Sequence, residues 1–205
     1  MNKDAIKAAI ETIIIQIEVD YQRSQGMILT EDDLMSIIFQ MLSNNYPELA
    51  NPKPTEDECI LAPMLHTELS WYDKHGKLTI KPDITILDPK YLSILHKNGE
   101  KVDLPRKEYS FRGDAILMEL KFIRSRKGIT NATINGSLKR DIEKIKRLFL
   151  RLEEQGAPYD LFCYFVVFNK TDIKCPEFDE FLRLTNNEAV GRYKMLYASG
   201  RVEFS

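Results

Sequence analysis

Ten consecutive residues, Tyr159–Phe168, read YDLFCYFVVF, and apart from Asp160 every one is apolar, aromatic or β-branched. A strand with one wet face alternates polar and apolar residues, whereas this run has no polar face. It therefore predicts a central buried strand and, with the order of the other elements, a mixed α/β sheet with helices packed on it. A second run, Ala115–Ile123 (AILMELKFI), has the same character and is interrupted only by Glu119 and Lys121. Between the two runs, Leu138, Ile142, Ile145, Leu148 and Leu152 recur at helical spacing and predict a long helix over about 137–155. A polar loop, 125–137, leads into it. Strand, helix and strand in that order form a crossover unit.

The rest of the chain is consistent with one domain of 205 residues built round that unit. Residues 3–24 predict an amphipathic helix with Ile6, Ile10, Ile13, Ile14 and Ile17 as its stripe. Thr30 is a good N-cap for a second helix running to Asn44, with Glu31, Asp32 and Asp33 at the positive end of its dipole. The proline-rich, acidic segment 45–58 reads as a surface connection. Two strands, Ile60–Tyr72 and Lys77–Leu87, follow as a hairpin closed by the turn Asp73–Gly76. Residues 89–113 are irregular and charged, an insertion expected to form a flap. A short helix at 176–187 and a strand pair at 192–204 close the chain. The expected division is an N-terminal helix (1–29), a core (30–168) and a C-terminal extension (169–205).

Several classes are excluded early. The apolar stretch Ile13–Ile17 is far too short to cross a bilayer, and the N-terminus lacks the basic n-region of a signal peptide. Cys59, Cys163 and Cys175 are odd in number and widely spaced, and His66, His75 and His96 have no zinc-type spacing. A reduced, cytoplasmic protein with no membrane contact is the expectation. There is no glycine-rich phosphate loop and no nucleophile elbow.

The net charge of −2 conceals a strong polarity. Residues 1–60 hold four basic against eleven acidic side chains, and residues 121–151 hold ten basic against two acidic. Such a chain either presents a basic surface to an anionic partner or lets its two ends neutralise each other.

Glu119 and Lys121 share one face of their strand by parity. Buried charges need a partner or a metal, so they read either as an ion pair or as part of a site. The second hairpin strand, KLTIKPDITIL, sets Leu78, Ile80, Ile84 and Ile86 on an apolar face. Asp83 lies on the opposite one with Thr79 and Thr85. Pro82 implies an edge strand or a bulge, and bulges often re-aim a side chain beside an active site. An aspartate beside Glu-x-Lys suits a hard divalent cation such as Mg²⁺, which takes one or two carboxylates and completes its shell with water and phosphate.

The arrangement Pro82-Asp83 … Glu119-Leu120-Lys121 resembles the PD-(D/E)xK nuclease superfamily, the restriction-endonuclease-like fold, whose core order α-β-β-β-α-β is similar to residues 30–168. The resemblance implies a Mg²⁺-dependent (or Mn²⁺-dependent) nuclease in which Asp83 and Glu119 bind the metal and Lys121 positions the attacking water. The expected substrate is nucleic acid, DNA rather than RNA, with a partner protein or a second copy of the chain supplying specificity. The family's helix before the hairpin often supplies an acid, for which Glu31 fits, although simple dipole complementation accounts for it equally. Glu68, in the first hairpin strand, is either a further metal ligand or a solvated acid. The family's polar residue on the following helix would be Asp141 or Lys144. The interval from Asp83 to Glu119 exceeds the family's usual spacing, and the 89–113 insertion accounts for the excess.

Arg140, Lys144, Arg147 and Arg151 form one helical stripe, and Arg124, Arg126 and Lys127 follow Lys121 closely. These seven are the candidate phosphate contacts. The other reading of the stripe is a solvated helix face. The alternative for the whole chain is a non-catalytic nucleic-acid-binding or protein-interaction module that keeps the fold.

Overall fold

The computed structural model describes residues 2–72, 78–94, 109–154, 160–188 and 191–201. Helix α1, Lys3–Arg23, is capped by Asn2, and α2, Glu31–Asn45, begins with a capping box between Thr30 and Asp33. The segment expected as a plain connection contains a short helix, α3 (Pro47–Ala50), and a strand, β1 (Lys53–Pro54), paired with β2 (Leu61–Ala62). The expected hairpin is present but broken: β3 (Leu65–Thr67), β4 (Trp71–Tyr72), β5 (Leu78–Ile80) and β6 (Ile84–Leu87) replace two continuous strands. β4 pairs with β5 and β3 with β6, both antiparallel. The turn 73–76 lies outside the described residues.

The stem of the insertion is a small antiparallel pair, β7 (Leu92–Ser93) with β8 (Ser110–Phe111). Asp57 accepts from the Ile94 N–H and the Ser93 hydroxyl, which ties that stem to the preceding segment. The flap expected at 89–113 falls in large part on residues 95–108, outside those described. Strand β9 is Ala115–Ile123, as the apolar run indicates.

The long helix begins earlier than its apolar stripe suggests. α4 (Asn131–Thr133) starts at a capping box formed by Thr130 and Thr133, a π turn spans Ile134–Leu138, and α5 runs Lys139–Glu154. Polar and small residues in the first turns (Thr133, Gly136, Ser137) mask the helix in the sequence, and burial of Ile134 and Leu138 reveals it. Strand β10, Leu161–Asn169, is buried along its whole length. Helix α6, Glu177–Glu188, precedes β11, Tyr193–Ser199. Of the expected C-terminal strand pair, the described residues show one strand, which lies parallel to β10. Residues 202–204 lie outside the described range.

The main sheet has five strands in the order β11-β10-β9-β6-β3, with β9, β10 and β11 parallel and β6 and β3 antiparallel to their neighbours. Ile10, Ile14 and Ile17 of α1 and Leu34, Ile38 and Leu42 of α2 pack on one face, against Ile116, Met118, Leu120 and Val166. Leu138, Ile142, Ile145 and Leu148, with Phe178 of α6, pack on the other, against Leu117, Cys163, Phe165 and Val167. β6 is thus an interior strand with both faces covered, not the one-sided or edge strand its pattern suggests. Thr85 and Leu87 are as buried as Ile84 and Ile86. No helix among the described residues is long and apolar enough to cross a membrane.

Candidate active site

The site forms where the sheet loses a strand. β6 pairs with β9 only from Ala115 to Met118, so among the described residues the last part of β9 has no strand neighbour on that side. The reason is local. Continuing the register, Pro82 would fall opposite Leu120, where it has no N–H to give to the ladder. The ladder stops, and side-chain carboxylates take over its role. Asp83 Oδ2 accepts from the Leu120 N–H at 2.6 Å, and Glu31 Oε2 accepts from the Phe122 N–H at 2.9 Å. Charged acceptors make such hydrogen bonds short and strong.

Asp83, Glu119 and Lys121 have the strand parity of Leu117, so they belong to the face covered by α5. From α2, Glu31 reaches the same edge, with its Oε2 at 3.4 Å from Lys121 Nζ. On α5, Asp141 Oδ2 lies 3.8 Å from Lys121 Nζ, while its Oδ1 holds Lys144 Nζ at 2.7 Å. Lys121 is therefore suspended between an acid from each helical layer. Asp141 is the most enclosed of these partners, with its side chain 8% exposed. Four carboxyl groups and two ammonium groups gather here.

Glu119 is the unusual member. Its Oε2 is buried and has no hydrogen-bond partner among the described residues. Burial raises its pKa from the ordinary 4.5 to about 8, with the negative charges of Asp83 and Asp141 adding to the rise and Lys144 and Lys121 opposing it. Asp83 is pushed from 3.8 up to about 6 by burial, against the Leu120 hydrogen bond, with Glu31 raising it further. Two carboxyl groups held this way resist simultaneous ionisation unless a cation joins them. An orphaned buried oxygen and an all-oxygen donor pair fit a hard divalent ion, which needs only one or two carboxylates beside its waters. The fit stops at two: among the described residues, no three His, Cys, Asp or Glu side chains form a ready-made metal-binding group.

The remaining candidates divide. Glu31 is at the site but engaged by the Phe122 N–H and Lys121. Glu68 pairs with Lys81 at 2.9 Å and is 58% exposed, although its N–H donates to the Asp83 carbonyl across the hairpin. Arg124, Arg126 and Lys127 are exposed in the loop after β9, and Arg140 and Arg147 are exposed on α5. Lys144 is not a free member of the basic stripe, because Asp141 holds it, and Arg151 is half-buried. The sequence singles out Asp83 and Glu31 but offers no signal that they complete the backbone edge of β9. Only the end of β6 creates those vacated N–H groups. Comparison with protein-family models, with curated proteins and with solved structures finds no match.

Proposed function

We propose that this chain is a Mg²⁺- or Mn²⁺-dependent nuclease of the PD-(D/E)xK type, acting on nucleic acid, DNA in preference to RNA. The observation that carries the reading is the meeting of Asp83, Glu119 and Lys121 on one face of the sheet, with Glu119 Oε2 buried and unpartnered. With the shorter intervening elements set aside, α2, β3, β6, β9, α5 and β10 follow the α-β-β-β-α-β order that the resemblance implies, which supports it. Asp83 and Glu119 would hold the ion. When bound, a divalent cation there supplies an activated water and neutralises charge on the scissile phosphate. Lys121, fixed by Glu31 and Asp141, keeps an ammonium aimed where negative charge develops and orients the attacking water. Arg124, Arg126, Lys127 and Arg140 contact flanking phosphates. Cys59, Cys163 and Cys175 are free thiols, which suits the cytoplasm.

One observation favours the second reading, a binding module without turnover. Asp83 and Glu31 each commit an oxygen to the β9 backbone, a structural use that needs no metal. The deciding experiment offers single-stranded, duplex and branched DNA, and RNA, to the chain with and without Mg²⁺. The nuclease reading expects cleavage that disappears with chelator and in Asp83→Asn and Glu119→Gln. Binding without cleavage of any substrate would establish the module instead.

A further inference from the structure

Thr85 stands in the middle of β6, flanked by Ile84 and Ile86, opposite Leu117 on β9 and opposite His66 on β3, whose Nε2 is engaged with the Pro63 carbonyl at 2.9 Å. Thr85 is completely buried, yet its hydroxyl Oγ1 has no hydrogen-bond partner among the described residues. Valine has the same shape and would fill the position with no polar atom to satisfy. Glu119 Oε2 is in the same state. Their places in the sheet relate them. Thr85 and Glu119 point to the face covered by α5, and the register sets them one row apart on adjacent strands, as diagonal neighbours. Diagonal neighbours stand about 7–8 Å apart at Cα and somewhat less at Cβ, a gap that one water molecule with two hydrogen bonds spans.

Several of the other groups around Glu119 are already engaged. Asp83 Oδ2 is taken by the Leu120 N–H, and Asp141 holds Lys144 and lies beside Lys121. The Cys163 thiol of β10 donates to the Tyr164 carbonyl at 3.6 Å. The Thr85 hydroxyl is left as a short, rigid donor on the sheet itself. We propose that Thr85 is a positioning residue for Glu119: an ordered water joins the Thr85 hydroxyl to the Glu119 carboxyl and sets its orientation toward Asp83. The consequence for a bound cation rests on the nuclease reading above, whereas the water bridge does not.

Two substitutions separate the hydroxyl from the shape. Thr85→Val keeps the branched volume and loses the donor; Thr85→Ser keeps the donor. The carboxyl infrared bands of Glu119, assigned by difference against Glu119→Gln, report its hydrogen bonding without metal or substrate. They should shift in Thr85→Val and stay at the wild-type position in Thr85→Ser. Calorimetric Mn²⁺ titration should show affinity falling at least about ten-fold in Thr85→Val, the effect typical of losing a partner behind a ligand, and recovering in Thr85→Ser. Unmoved bands in Thr85→Val, or equal shifts in both variants, would overturn the bridge. Moved bands with unchanged Mn²⁺ affinity would overturn the positioning role. Wild-type protein that takes up no Mn²⁺ would sink the nuclease reading alone, because the infrared comparison still decides the bridge.

Discussion

At the scale of single residues, the chemistry turns on one carboxyl group placed where it cannot easily ionise. The pKa of Glu119 is about 8 in the folded chain against an ordinary 4.5. Between those values the native state keeps a proton that the unfolded chain has released, so folding stability falls as pH rises across that window. Asp83, raised from 3.8 to about 6, acts in the same direction over the lower part of it. Denaturant titration at pH 5 and pH 8 should show Glu119→Gln gaining about 2–4 kcal/mol on wild type at the higher pH and little at the lower. A wild type that gains stability from pH 5 to 8 while Glu119→Gln does not would contradict this. Cation binding must displace the same proton. Calorimetry in buffers of differing ionisation enthalpy should therefore report release of about one proton per ion at pH 7. Lys121 plays a different part, since it touches neither carboxyl oxygen of the proposed ligand pair. Lys121→Ala should retain the cation and lose about 10²–10³ in kcat, the usual effect of removing one preorganised charge. Loss of cation binding in that variant would reassign Lys121 to the architecture of the site.

At the scale of elements, the site is a consequence of unequal strand lengths. β9 is nine residues long, and β6 is only four. The difference exposes the N–H groups of Leu120 and Phe122, which carboxylates from just before β6 and from α2 complete. Beyond β9, the loop bearing Arg124, Arg126 and Lys127 is clamped to the segment after β10. The Ile129 N–H donates to the Ile173 carbonyl at 3.0 Å, and the Cys175 N–H to the Ile129 carbonyl at 2.8 Å. Gly128 makes this possible. Its φ is +63°, and a Cβ there would stand 1.8 Å from the Ile173 carbonyl oxygen. Gly128→Ala should therefore cost more than about 1 kcal/mol and release the loop. Hydrogen exchange at the Ile129 and Cys175 amides should rise, and nucleic-acid affinity should weaken without loss of the cation. Wild-type protection at both amides would show that the clamp does not depend on the glycine.

At the scale of the molecule, the charge polarity becomes a division of surfaces. The acidic N-terminal part forms the layer on one face of the sheet, and α5 with the loop before it lies on the other. Part of each charge is consumed locally: Glu11 pairs with Lys194, Lys146 with Glu188, and Lys144 with Asp141. Arg124, Arg126, Lys127 and Arg140 remain exposed, with no ion pair among the described residues. Binding to nucleic acid should weaken with added salt, and reversing Arg124, Arg126 or Arg140 should flatten that dependence by about one in slope each. Lys144→Glu should flatten it less, since its ammonium is already committed. Equal effects at Lys144 and Arg140 would mean that the Asp141 pair opens on binding.

The elements themselves were legible in the chain because their signals are local. The long apolar runs determined β9 and β10, the isoleucine stripe determined α1, and Thr30 with its following acids determined the start of α2. Strand parity put Glu119 and Lys121 on one face before any neighbour was known. The start of the long helix was not legible, because its first turns are held by burial of Ile134 and Leu138 and by the Thr130 cap against weak intrinsic preference. The site needed tertiary structure for a further reason. Glu31 meets the Phe122 N–H across 91 residues, and Asp83 meets the Leu120 N–H across 37. Lys81 holds Glu68, with its charge, in solvent, and Asp141 neutralises Lys144 in the middle of the basic stripe. Residue order determines what each segment can be. Which carboxylate finds an unpaired N–H, and which lysine finds a carboxylate, depends on where the neighbouring strand ends.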